Sequence, residues 1–208
     1  MTAGRADLAI KRALDVTAAA VGLVVTAPVL AAVAVVVATR LGRPVLFVQP
    51  RPGKDGAVFD LVKFRSMLPV DEARGLVTDD DRMTPFGALL RSTSLDELPT
   101  LWNVLRGDMS LVGPRPLLVR YLDRYSPRQA RRHEVRPGVT GLAQVSGRNA
   151  LSWDDKLELD VRYVESRSVV GDLRILAATA AKVWRREGIT GEGSTTTREF
   201  LGDGRAGA

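Results

Sequence analysis

The sequence predicts an α+β, mostly helical protein. An apolar N-terminal segment forms a re-entrant helix hairpin in a membrane, followed by a small cytoplasmic domain with a short β-hairpin and amphipathic helices at the interface. Three observations carry this expectation. Residues 16–39, VTAAAVGLVVTAPVLAAVAVVVAT, contain no charge. Two strand-like pieces, PVLFVQ (44–49) and AVFDLVKF (57–64), flank the Pro- and Gly-containing turn PRPGKDG. Helical patterns then recur at 117–133, 152–167 and 172–186. The expected divisions are 1–43 for the membrane helix, 44–201 for the domain and 202–208 for a tail that frays.

As one helix the uncharged run would measure about 36 Å, enough for a hydrocarbon core of about 30 Å. It is longer than the roughly 7–15 apolar residues of a signal peptide. Two features argue against a simple span. Pro28, at the centre, removes a helical hydrogen bond and favours a kink. Basic residues stand on both flanks: Arg5, Lys11 and Arg12 before the run, and Arg40, Arg43, Arg51 and Lys54 after it. The positive-inside rule then keeps both ends in the cytoplasm. A helix broken at Pro28 satisfies both features by crossing in and out through one leaflet.

Beyond the β-hairpin, an acidic loop to Asp81 precedes a short helix near 85–91, and a further helix opens at SLDELPTLWNVL (94–105). The last helical pattern places Leu173, Leu176, Ala180 and Trp184 on one stripe ending among Lys182, Arg185 and Arg186. A core face and a face lying among lipid headgroups both carry that pattern.

The composition narrows the chemistry. With 208 residues the chain has enough length for a sizeable core. It has no cysteine, which excludes disulfides, thiolate metal sites and cysteine nucleophiles. A single histidine, His133, excludes a His-rich metal centre, and its setting in RQARRHEVR reads as surface. The net charge of +6 points to an anionic partner: nucleic acid, phospholipid or a phosphorylated substrate. Residues 117–148 hold seven arginines against Asp123 and Glu134, which makes them a candidate phosphate site.

The stretch SLDEL admits two readings. Ser94 and Glu97 fit a capping box, in which each side chain satisfies a backbone N–H of the first helical turn. Asp96 and Glu97 are also adjacent carboxylates, and an aspartate can attack phosphorus to form an acyl phosphate. Phosphoryl transfer needs charge neutralisation, which arginines and a magnesium ion supply. Neighbouring carboxylates attract such a hard cation, and a helix N-terminus is expected to keep Asp96 ionised.

The segments KRALDV, FVQPRPG, FDLVKFRSM, RSTSLDELPTLWNVLRGDMSLVGPRPLL, RPGVTGLAQVSGRNALSWDDKLELDVRYV and EGSTTTREF occur in that order. Together they resemble the bacterial sugar transferases known as monotopic phosphoglycosyl transferases, most closely the small forms made of the catalytic domain alone. The resemblance implies transfer of a sugar 1-phosphate from a UDP-sugar to polyprenyl phosphate, with UMP released and a covalent phosphosugar intermediate formed in the presence of Mg2+. On this resemblance Asp96 matches the nucleophile and magnesium ligand, and Glu97 its partner. Arg115 in GPRP matches a phosphate-binding arginine, and Arg91 a motif arginine near the dyad. Lys63, Arg65, Arg136 and Arg148 fall inside motifs and join the substrate-binding candidates. Residues 44–201 then form the catalytic domain, on the cytoplasmic face of the bacterial cytoplasmic membrane, with phospholipid around the helix.

The usual Ser-Pro at the helix break is here Ala27-Pro28, so the hydroxyl of Thr26 is expected to bond back to a preceding carbonyl in place of serine. The similarity of GRNALSW and EGSTTTREF to small members acting on acetamido or diacetamido sugars tilts the expected donor towards that class. A membrane-tethered module binding nucleic acid or anionic lipid without chemistry would explain the charge and the anchor. It gives no reason for SLDEL or GPRP, and no nucleic-acid partner is expected. A multi-span transferase is excluded because one apolar run cannot build a polytopic body.

Overall fold

The structure, a computed structural model, describes residues 5–147, 151–185 and 199–202. The apolar run lies within helix α1 (Arg5–Arg40). Strands β1 (Leu46–Pro52) and β2 (Val58–Phe64) form the expected antiparallel hairpin, in register from Leu46 opposite Phe64 to Pro52 opposite Val58. Helix α2 (Asp79–Arg82) starts on a capping box between Thr78 and Asp81, and α3 (Pro85–Ser92) starts on Thr84. A 3-10 turn (Leu95–Thr100) leads into α4 (Leu101–Arg106). After β3 (Ser110–Val112) come α5 (Pro127–Ala130) and β4 (Gly138–Thr140), which pairs in parallel with β3. Helices α6 (Leu142–Ser146), α7 (Trp153–Ser166) and α8 (Val169–Arg185) complete the order.

Two helical expectations are corrected. Residues 117–133 are not one helix but 3-10 turns at Val119–Arg124 and Arg131–Glu134 on either side of α5. Ser126 caps α5 and Pro127 occupies its first turn, where proline begins a helix but cannot continue one from before. In α8 the stripe is rotated. Ile175 and Asp172 are buried with Leu176 beside them, while Leu173 and Ala180 face outward; the side chain of Trp184 lies outside the described set.

Most of α1 is uncovered. Only 11% of its most apolar stretch is buried, and Val24 at its middle is 75% exposed. A long apolar helix left mostly uncovered fits association with a membrane. Pro28 lies inside α1, which is helical on both sides of it. One proline removes a single rung of the hydrogen-bond ladder and leaves the others. Thr26 Oγ1 donates to the carbonyl of Gly22 at 2.6 Å, the back-bond expected of it. The carbonyl it satisfies is two residues before Val24, the one that Pro28 deprives of its donor.

Both arms of α1 dock on the rest of the chain. In the first, Lys11 Nζ bonds Asp172 of α8 at 2.5 Å and the carbonyl of Val112 at 3.3 Å. Arg12 donates to the carbonyls of Val104 and Leu105, at the end of α4, at 2.7 and 3.0 Å. Buried Asp15 accepts from the backbone N–H of Leu111, and Ala19 packs with Val104 and Met109. Beyond Pro28, Val33, Val37 and Leu41 share a core with Phe64 and Leu90. Lys11 and Arg12 are therefore bound to protein groups rather than left to lipid headgroups.

Arg12 caps the α4 terminus with charge-assisted bonds, each worth about 1.5–3 kcal/mol when a partner is charged. Arg12→Ala is expected to lower stability by about 1–2 kcal/mol, read as a lower Tm in detergent. Arg40→Ala, removing an exposed charge at the other end of the helix, is expected to change it by less than about 0.5 kcal/mol.

Candidate active site

The dyad turn is fastened to β2 by two polar side chains. Asn103 of α4 is fully buried; its Oδ1 accepts from Val62 N at 3.0 Å and its Nδ2 donates to Asp60 O at 2.7 Å. Thr100 Oγ1 donates to Val62 O at 3.0 Å. Both backbone groups of Val62 thus turn to the helix, which takes the place of a third strand. This docking puts Asp96 within electrostatic reach of Lys63, the residue after Val62. Lys63 Nζ in turn lies 5.6 Å from the ring centroid of its cross-strand partner Phe47.

Arg91 arrives from α3. That helix lies so close to the end of β2 that a Cβ on Gly87 would come within 1.9 Å of Ser66 O, so only glycine permits the approach. At this distance Arg91 Nε donates to Ser66 Oγ at 3.0 Å. Arg115 arrives from the segment after β3, and its Nη2 donates to Glu97 Oε1 at 2.7 Å. Lys63, Arg91 and Arg115 therefore converge on the Asp96–Glu97 pair.

The capping reading of SLDEL does not hold. Ser94 has left-handed backbone angles, φ 56° and ψ 17°, and its side chain makes no capping hydrogen bond. A non-glycine residue in that region is strained, and such strain gathers at functional sites.

Asp96 is 4% exposed. Burial, with the charge of Glu97 adding to it, pushes its pKa up to about 6, while Lys63, Arg91 and Arg115 pull the other way. The helix N-terminus expected to keep Asp96 ionised is thus outweighed, although a pKa of about 6 still leaves the group mostly ionised at neutral pH. The turn is a short 3-10 segment, and desolvation outweighs what it offers. Ionisation at neutral pH depends on the three cations. Burial also pushes the Lys63 ammonium down, with Asp96 opposing the fall, and the charge of Glu97 holds Arg115 up.

The remaining candidates are placed elsewhere. Arg65 Nη1 donates to Arg43 O, and Arg136 Nε to Gly107 O at 2.7 Å, so neither is brought to the dyad. Arg148 lies outside the described residues. The described members of the arginine-rich stretch are engaged internally rather than gathered at the dyad. Arg120 and Arg124 pair with Glu199, Arg128 with Glu158 and Glu165, Arg131 with Glu134 and Glu165, and Arg132 with Asp160. His133 is not a surface residue. It is half-buried, its Nδ1 lies 3.1 Å from Gly53 O, and burial pushes its pKa down to about 4, so it stays neutral. Sequence reasoning missed Thr100, Asn103, Ser66 and Phe47. Thr100 and Asn103, polar and three apart at the start of an otherwise apolar helix, were a legible signal.

The chain matches the description "bacterial sugar transferase" over residues 6–186. It belongs to that family. The transferase is 50% identical over 196 residues to an uncharacterized sugar transferase EpsL of Bacillus subtilis, covering 94% of this chain and 97% of that one. It is 41% identical over 180 residues to a UDP-glucose:undecaprenyl-phosphate glucose-1-phosphate transferase of Caulobacter vibrioides, covering 81% of this chain and 67% of that one. Against an undecaprenyl-phosphate galactose phosphotransferase of Salmonella typhimurium the identity is 37% over 204 residues, covering 89% of this chain and 43% of the relative. The chain thus spans nearly all of the first relative and less than half of the last.

A carboxylate whose folded pKa lies above its unfolded value binds its proton more tightly when folded. Its contribution to stability is present below about pH 4 and is lost as pH rises through about 6. At neutral pH without metal, Asp96→Asn is therefore expected to stabilise the transferase by about 1–3 kcal/mol, with the difference vanishing near pH 4. Denaturation in detergent at several pH values checks this. A lost cap would give the opposite sign.

Proposed function

We propose that the transferase moves a sugar 1-phosphate from a UDP-sugar to polyprenyl phosphate through a covalent phosphosugar on Asp96, giving a polyprenyl-diphospho-sugar and UMP. This is the first membrane step of a glycoconjugate assembly. The observation that carries the reading is the buried Asp96, beside half-buried Glu97, faced by Lys63, Arg91 and Arg115. The names of the Caulobacter and Salmonella relatives, which join a sugar phosphate to undecaprenyl phosphate, support it.

In the first half-reaction a carboxylate oxygen of Asp96 attacks the sugar-bearing phosphorus as the bond from that phosphorus to the bridging oxygen breaks. UMP leaves with that oxygen and the bonding electron pair. In the second, a phosphate oxygen of the lipid attacks the same phosphorus and the carboxylate of Asp96 departs. Lys63, Arg91 and Arg115 stabilise the charge on the phosphate oxygens in both steps, where preorganised cations contribute most. Glu97 holds Arg115 in place.

Mg2+ fits this donor set. A magnesium site takes one or two carboxylates and completes its shell with water and substrate phosphate, so the lack of a three-acid cluster among the described residues is no obstacle. Asp96, crowded by Glu97, is the residue to hold it. Bound there, the ion would neutralise diphosphate charge and favour the ionised carboxylate.

The membrane part of the proposal is that α1 is re-entrant, a bent helix with both ends on the cytoplasmic side. Its two docked arms support this, because a helix crossing the bilayer would carry one arm away from the body. Exposed Val170 and Leu173 on α8 support contact with phospholipid beside it. For the donor sugar, a panel should set acetamido and diacetamido UDP-sugars beside UDP-glucose and UDP-galactose, since relatives are named for glucose and galactose.

Incubation with labelled UDP-sugar and Mg2+, without lipid, is expected to label Asp96 and release at most one UMP per enzyme. Asp96→Asn is expected to abolish both while the protein stays folded. Turnover with no trapped phosphosugar would remove the nucleophile assignment.

The chain has no native cysteine, so Thr2→Cys and Glu72→Cys can be probed with a membrane-impermeant thiol reagent on intact cells. Both are expected to be protected, and adding Pro28→Leu is expected to expose the Thr2 position alone. Labelling at that position with Pro28 retained would mean a true span.

A further inference from the structure

Arg132 and Asp160 form a buried ion pair that the chemistry above does not use. Their side chains are 1% and 5% exposed, and Asp160 Oδ2 accepts from Arg132 Nε at 3.1 Å and Nη2 at 2.7 Å. Such a pair is costly to desolvate, and well-packed apolar residues often replace one without loss of stability. Its presence calls for something beyond stability.

The remaining donors of Arg132 point to that role. Nη2 also donates to the backbone carbonyl of Arg115 at 2.6 Å, and Nη1 lies 3.4 Å from Tyr125 Oη. Arg115 stands between Pro114 and Pro116, in a segment outside any helix or strand. Neither proline has an N–H, so the segment's carbonyls are the main handles by which the protein can grip it. Each of the three is gripped by a different donor: Pro114 O by Gly138 N at 2.9 Å, Arg115 O by Arg132, and Pro116 O by Arg51 Nη1 at 3.2 Å. The middle grip acts on the residue whose guanidinium pairs with Glu97.

We infer that Arg132, oriented by Asp160, is a positioning residue that sets the Arg115 guanidinium against Glu97 and so against the phosphate bound at Asp96. This rests on the proposed phosphosugar transfer. A chain of contacts runs from α7 through Asp160, Arg132 and the Arg115 carbonyl to the dyad. Arg132 itself touches no substrate.

The test is a cycle of variants in the full-length protein. Arg132→Met with Asp160→Leu removes both buried charges together, so that folding is retained, and Arg132→Lys keeps the charge but loses the fork. Each is placed in the wild-type and Arg115→Ala backgrounds. UMP release in a single turnover, without lipid, is expected to fall about 10- to 100-fold with the apolar pair, the scale of a misplaced catalytic group. In the Arg115→Ala background the same pair is expected to cost less than about twofold, because its target is gone. Equal losses in both backgrounds, or no loss in the first, would overturn the inference.

A substrate-free readout separates this from failure of the reaction itself. In arginine-labelled protein, the guanidinium NMR signal of Arg115, identified by its absence in Arg115→Ala, is expected to lose its ion-paired character in the apolar pair. If the wild type releases no UMP from any UDP-sugar, the transfer reading fails. The signal then decides alone, and an unchanged Arg115 overturns the positioning role.

Discussion

The arrangement of the candidate site depends on one exchange of hydrogen bonds, between Val62 and the side chains of Thr100 and Asn103. A two-stranded hairpin alone is marginal in water, and an exposed strand edge leaves unpaired backbone groups. Here the outer edge of β2 is closed by an amide and a hydroxyl from the dyad helix, so the strand is completed and the dyad is located by the same bonds. Lys63 and Ser66 follow on that strand and its continuation. The first acts on Asp96 through its charge, and the second holds Arg91 by a hydrogen bond. A helix held by apolar packing alone would be free to slide by a fraction of a turn, and the carboxylates would move with it.

That docking creates the electrostatic problem which the site solves. Burying Asp96 beside Glu97 disfavours its charged form, as the rise to about 6 records. Three cations from three elements, β2, α3 and the segment after β3, oppose the effect of that burial. Arg115 donates a hydrogen bond to Glu97, the outer member of the pair. Strain at Ser94, two residues before Asp96, is consistent with a backbone held to serve this geometry.

The membrane helix is part of the same structure. Asp15, Lys11 and Arg12 tie it to β3, α8 and the end of α4, and Val33, Val37 and Leu41 share a core with Phe64 and Leu90. Lys11 and the Tyr163 hydroxyl both donate to the carbonyl of Val112, one residue before the Gly-Pro-Arg-Pro segment. The position of the helix and that of Arg115 are thus linked through a single peptide.

The sequence by itself determined whatever depends on neighbours along the chain. The uncharged run, the turn between β1 and β2, the Thr84-Pro85 start of α3 and the Asp-Glu pair are local facts, legible from spacing and residue type. The resemblance of motifs supplied Arg91, Arg115 and Lys63 for the same reason. Only the tertiary structure decided which charges are paired with which. Arg128, Arg131 and Arg132 look like an anion site until α7 brings Glu158, Asp160 and Glu165 against them. His133 looks exposed until Gly53, far away in sequence, meets its ring. Ser94 looks like a cap until the docking of the dyad turn puts it in the left-handed region. Each of these turns on the sum of burial and a distant partner, two quantities that sequence spacing does not contain.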